Sequence, residues 1–175
     1  SLVDRILCFR RPDSPDPAHP FFRLQSERWL ECLLLDDFAH LFPELLPEHV
    51  YPQVPLYLAA LPGRLDILAM RHDRMLVVME LKSSESTDLP LQALDYWGRV
   101  IGHNRRGDFE KRGYFAGQRI RRDPPGIYLV APVFSFHDST EHLLAFLRPE
   151  IEVWKIAVNE DWRCGIRLLH HARCR

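Results

Sequence analysis

"VVMELKSSES", residues 77–86, is the stretch on which the fold turns. Val77, Val78 and Met79 have the β-rich, apolar character of a buried strand, yet Glu80 and Lys82 follow directly. A core accepts charges only where they are paired or bind an ion. Strand side chains alternate, so Glu80 and Lys82 share one face while Leu81 takes the other. A carboxylate and an ammonium side by side at the end of a core strand therefore call for a third partner.

The preceding segment, "RLDILAMR" (64–71), reads as a second strand and places Asp66 14 residues before Glu80. If His72 and Asp73 formed a two-residue hairpin, Asp66 would face Met79 and point away from Glu80. A convergent site instead requires an odd-length turn, His72–Arg74 with a residue in left-handed conformation, or a bulge in either strand. Asp66 then stands opposite Glu80. Two carboxylates and the Leu81 carbonyl suit a hard divalent cation such as Mg²⁺ or Mn²⁺, open on its other sides to water and a phosphate. Lys82 beside them would orient or deprotonate an attacking water, or stabilise charge on the phosphate.

Around this centre the chain reads in order. Residues 1–21 form a leader, extended and irregular over the Pro-rich "RRPDSPDPAHP", and 22–175 a single domain. "FFRLQSERWLECLLLDDFAHLF" carries Leu30, Leu33, Leu34, Phe38 and Leu41 as the stripe of one amphipathic helix ended by Pro43 and Pro47. Glu27 and Glu31 lie four apart on it. "HVYPQVPLYLAA" is a strand that Pro52 and Pro55 confine to an edge, and "LPG" a turn after it. "DLPLQALDYWGRVIGHN" is a helix with Asp88 at its N-cap and Pro90 near its first position. Its expected packing face is Leu94, Trp97 or Gly98, and Ile101. Gln92, Tyr96, Arg99 and His103 form the polar side, turned back towards the strand ends. "GIYLVAPVF" is a fully buried central strand, "DSTEHLLAFL" a capped helix, and "IEVWKIAVNEDWRCGIRLL" a closing strand pair. His170–His171 reads as a polar tail, and the four tryptophans as core or half-core residues.

Composition narrows the function classes. With 175 residues, 46% hydrophobic and 27% charged, the chain suits one globular domain. No apolar run reaches the roughly 20 residues of a membrane helix. The N-terminal apolar stretch is too short for a signal peptide and is broken by Arg5. Cys8, Cys32, Cys164 and Cys174 are widely spaced, which leads us to expect free thiols and a cytoplasmic setting. Net charge is −1, but eight Lys/Arg against two acids lie between Arg99 and Arg122. Such a run is either a solvated loop or a phosphate-contacting edge. We expect Arg99, Arg105, Arg106, Lys111, Arg112, Arg119, Arg121 and Arg122 to flank the site and contact phosphates. No P-loop, G-x-G-x-x-G or G-x-S-x-G motif is present.

The stretches "SERWLE", "GRLDILA", "LVVMELKS", "LQALDYWGRV" and "GIYLVAP" resemble the PD-(D/E)XK nuclease superfamily. Within it the pattern is most similar to the catalytic domain of archaeal and actinobacterial mismatch- and branch-specific endonucleases. The resemblance implies an α/β, restriction-endonuclease-like three-layer fold. Its mixed central sheet would be flanked by helices, with an α-β-β-β-α-β core and extra C-terminal strands here. It implies a Mg²⁺- or Mn²⁺-dependent nuclease acting on nucleic acid, DNA foremost. Asp66 and Glu80 would be metal ligands, Lys82 would sit at the nucleophilic water, and Gln92 and Tyr96 would line the site. The helix-one acid matches Glu27 best, with Glu31 as the weaker alternative, otherwise a surface charge. Leu65 stands where the motif usually carries proline, and the separate DNA-binding domain of the mismatch enzymes has no counterpart, so substrate type stays open. A homodimer is also left open. The competing reading is a catalytically inactive nuclease-fold module serving as a nucleic-acid or protein adaptor. It should lack an acid or the lysine, and this chain keeps all three.

Overall fold

The structure, a computed structural model, describes residues 1–58 and 61–174. Six strands form one mixed sheet whose spatial order follows the chain: β1 (Leu45–Leu58), β2 (Leu61–Arg71), β3 (Leu76–Leu81), β4 (Gly126–Pro132), β5 (Val153–Val158) and β6 (Leu168–Arg173). β1, β2 and β3 pair antiparallel, β3–β4 and β4–β5 parallel, and β5–β6 antiparallel. The proline-bearing β1 takes an edge and the apolar β4 lies inside the sheet, as their compositions require.

Helices cover both faces because β3 is apolar on both. Val77, Met79 and Leu81 pack towards α3 (Ser26–Asp36) and α4 (Phe38–Leu41), in a core with Leu30, Leu34 and Trp162. Leu76 and Val78 pack on the other side, where α5 (Leu89–Arg106) contributes Tyr96 and Val100. Next to them Leu89 and Ala93 meet Leu129, Ala131 and Leu144 of α7 (Ser139–Ala145). Leu30 and Leu34 are wholly buried, so truncating either to Ala should cost about 2–5 kcal/mol.

The turn after β2 is the odd-length one that a convergent site needs. Arg71 N–H bonds the Met75 carbonyl at 2.9 Å, and Arg74 closes the loop at φ +71. The ladder then runs from Met70↔Leu76 to Ile67↔Met79, a register in which Asp66 stands opposite Glu80.

Several elements depart from their expected form. The leader is not extended: α1 (Leu2–Phe9) is capped by the Ser1 hydroxyl, and α2 (Pro20–Arg23) starts on Pro20 with His19 as its cap. Arg10 then ties this segment down, donating to the Leu24 carbonyl and lying over the Trp29 ring. The first long helix is divided at Asp37 into α3 and α4. "LPG" belongs to β2, Leu61 pairing with Leu58, and Ala59–Ala60 between them lie outside the described residues. His170 and His171 lie in β6 rather than a tail, and His171 meets the Tyr128 and Trp154 rings. α5 buries Ala93, Tyr96, Val100 and His103 most fully, while Leu94 and Trp97 of the expected face are only partly buried against the α7 side. Its amphipathic stripe is interrupted by polar groups that find partners inside. The Tyr96 hydroxyl accepts the Arg64 N–H, and His103 meets Asp108, the first residue of α6 (Asp108–Lys111).

Candidate functional site

Past Ile67 and Met79 the β2–β3 ladder ends, and two carboxylates take over the backbone donors it leaves. Glu80 Oε1 accepts the Asp66 N–H at 3.3 Å, and Asp66 Oδ2 accepts the Leu81 N–H at 2.9 Å. Each acid is thereby held against the other's strand. Glu80 is 0% exposed, and its Oε2 has no hydrogen-bond partner among the described residues. Burial, and then the Asp66 charge beside it, push the Glu80 carboxyl up to about 9. Burial likewise raises Asp66, opposed by the Leu81 N–H and the Lys82 ammonium. Two desolvated acids in contact cannot both stay ionised without a cation between them.

α3 forms the opposite wall. Its N-cap, Gln25, is in left-handed conformation at φ +47, and the Ser26 hydroxyl bonds that of Ser83, just beyond Lys82. Glu27 is half-exposed and pairs with Lys82 at 3.6 Å. Glu31 is not a surface charge: it is buried, because it shares the helix face of Leu30 and Leu34. It pairs with Arg28 and accepts the Gln53 amide at 2.5 Å. The same Gln53 nitrogen reaches Asp66 Oδ1 at 3.5 Å, so one amide bridges the helix acid and the strand acid. Gln53 holds φ +54 in β1, an uncommon conformation for a residue with a side chain. These residues enclose a cleft of about 500 Å³ with Arg64 at its rim.

Asp66, Glu80, Leu81, Lys82 and Glu27 therefore come together. Gln53 and Arg64 line the cleft without a role in the sequence reading, and Glu31, the weaker alternative for the helix-one acid, lines it too. Arg64 was legible, since it shares a strand face with Asp66 by simple alternation. The conformation of Gln53 has no sequence signature.

The helix residues behave otherwise. Gln92 makes no side-chain hydrogen bond to Asp66, Glu80 or Lys82 among the described residues. Tyr96 sits beneath Arg64 rather than in the cleft. Arg99 is not a phosphate contact but packs inside, pairing with Asp95 at 2.8 Å and donating to the Leu56 carbonyl.

The basic segment lies at the far end of the sheet. α5 leaves the Lys82 end and runs 18 residues, about 27 Å at 1.5 Å per residue. A crossover helix between parallel strands must travel back in this way. Arg105 and Arg106 end it, and Lys111, Arg112 and Arg119 follow. Arg121 then pairs with Asp73 in the β2–β3 turn at 3.0 Å, and Arg122 with Glu110 at 2.7 Å. None of these flanks the cleft.

Among the described residues no group of three or more His, Cys, Asp or Glu is arranged to hold a metal ion. The Asp66–Glu80 pair fits a hard cation on narrower grounds. It supplies two carboxylates, one with a buried oxygen lacking any partner, and Mg²⁺ commonly takes one or two carboxylates, completing its shell with water and substrate phosphate. Among the described residues no helix is long and apolar enough to cross a membrane. The chain matches no protein-family model and no curated protein.

Proposed function

We propose that this chain is a divalent-metal-dependent phosphodiesterase of restriction-endonuclease-like fold, cleaving nucleic acid, DNA foremost. The observation that carries the reading is the Asp66–Glu80 pair. A buried acid and a half-buried one, mutually held through backbone N–H groups, leave a Glu80 carboxylate oxygen unpartnered beside a lysine at the end of a core strand. Such an arrangement is costly in an apo core. Holding a cation gives it a purpose.

Asp66, Glu80 and the Leu81 carbonyl would hold Mg²⁺ or Mn²⁺, which would supply Lewis acidity and neutralise phosphate charge. Lys82, paired with Glu27 of the cleft wall, would orient and deprotonate the attacking water or bind a phosphate oxygen. Glu27 holds the Lys82 ammonium in place. Gln53 spaces Glu31 from Asp66, and Arg64 at the rim offers a guanidinium to the substrate backbone. Its guanidinium has no ion pair among the described residues.

The test is incubation of the purified protein with labelled single-stranded, duplex and branched DNA, and with RNA, in Mg²⁺ or Mn²⁺ against chelator. Metal-dependent cleavage of any of them supports the reading. Metal-independent binding with no cleavage of any substrate would replace it with a non-catalytic adaptor.

A further inference from the structure

The basic run does not serve the cleft, yet it is not a loose solvated loop either. Arg74, Arg119, Arg121 and Arg122, with Glu110 and Asp123, line an open groove of about 1110 Å³. The groove has a built floor. Asn104, 1% exposed, donates to the Arg121 carbonyl and accepts from Arg122, both at 2.7 Å. The Arg121 N–H bonds the Arg74 carbonyl at 3.0 Å, fastening the segment to the β2–β3 turn. Arg121 is held between Asp73 and Asp123, and Arg122 against Glu110, while both guanidiniums stay about half exposed. Each has five N–H donors and so keeps some beyond those engaged. Arg74 and Arg119 have no ion pair among the described residues.

Two fixed and two uncommitted guanidiniums in an open groove match a repeating phosphate backbone rather than a single small anion. Position adds the second argument. The cleft and the groove lie at opposite ends of the same strand: Asp66 to Arg71 is five residues, about 17 Å at 3.3–3.4 Å each. That is about five base-pair steps of duplex at 3.4 Å.

We propose that the Arg74–Arg119–Arg121–Arg122 groove is a second contact for the phosphate backbone of duplex nucleic acid, engaged only by substrates long enough to reach it from the cleft. This rests on the nuclease reading above. It assigns the groove to affinity and substrate length, with no part in bond cleavage.

The experiment measures fluorescence anisotropy in chelator with two probes, a duplex of about 20 base pairs and a hairpin stem of about five. Wild type is compared with Arg74→Asn/Arg119→Gln; Asn tolerates the left-handed backbone at position 74. The variant should bind the long duplex about tenfold more weakly, with a salt slope shallower by about two. Its affinity for the hairpin should not change. An unchanged slope, or equal losses on both probes, would overturn the groove. Metal-dependent cleavage of the hairpin separates the two ideas. If wild type cleaves it and the salt slope does not move, only the groove falls. If wild type cleaves neither the hairpin nor any of the single-stranded, duplex, branched or RNA substrates in Mg²⁺ or Mn²⁺, the nuclease reading falls.

Discussion

Both ends of β2 gather charge, but they treat it in opposite ways. At the turn end, Asp73 and Asp123 face Arg121, and Glu110 faces Arg122, each with much of its side chain in water. Such pairs are close to energetically neutral. At the cleft end like charges are brought together with Glu80 and Glu31 buried: the half-buried Asp66 lies beside Glu80, with Glu31 one amide away. Nothing about packing requires this. The turn end holds matched charges in water, whereas the cleft end sets the half-buried Asp66 against a buried acid with a partnerless oxygen, the pattern that marks candidate functional sites.

The largest test of that contrast is removal of one cleft acid. Asp66→Asn or Glu80→Gln should lower cleavage by about 10³-fold or more, the several kcal/mol a bound ion supplies. In chelator, Glu80→Gln should be at least as stable as wild type, because a carboxyl that burial disfavours in ionised form has been made permanently neutral. Cleavage assays and thermal denaturation read the two effects. A destabilised Glu80→Gln protein that still cleaves would erase the distinction between the two ends.

The next test is pH. Glu80 is raised from its ordinary value of 4.5 to about 9 in the fold. Below pH 4.5 both folded and unfolded chains are protonated there, so the group costs nothing. As pH rises towards 9 the unfolded chain ionises first, and metal-free stability falls by up to about 1.4 kcal/mol per pH unit from this one proton. Denaturant unfolding in chelator between pH 5 and pH 9 should show that decline. Glu80→Gln should remove most of it, and excess Mn²⁺ should flatten it.

A smaller effect isolates the backbone at Gln53. Both Gln53→Gly and Gln53→Ala lose the bridge to Glu31 and Asp66, but only Ala keeps the side-chain penalty at φ +54. Gly should exceed Ala in stability by about 1 kcal/mol, with metal affinity reduced alike in both. Equal stabilities would mean that no strain is held there.

These residues also show what the sequence could and could not reveal. The Asp66–Glu80 pairing was legible because strand alternation is strict: a shared face demanded an odd turn, and Arg74 at φ +71 makes it. For Glu31 only the surface-charge alternative fails: its place between Leu30 and Leu34 puts it on the buried stripe. The basic segment was misplaced for want of one geometric step. A crossover helix 18 residues long cannot leave its C-terminal neighbours beside the strand end where it began. Gln53 had no signal at all, since a left-handed residue in a strand follows from tertiary context.

The smallest expected change is at the turn end. Arg121→Ala breaks exposed pairs with Asp73 and Asp123 and should shift stability by less than about 1 kcal/mol, leaving metal binding untouched. A large loss in denaturant unfolding would show that this end is also built on buried charge.

The account stands or falls on the cation. Titration calorimetry of Mn²⁺ into wild type, Asp66→Asn and Lys82→Ala, each with and without nucleic acid, tests it most directly. Wild type should bind saturably, Asp66→Asn should show no comparable site, and Lys82→Ala should retain nearly all the affinity while losing cleavage. No Mn²⁺ binding by wild type even with nucleic acid present would contradict the claim that Asp66 and Glu80 are held together for an ion.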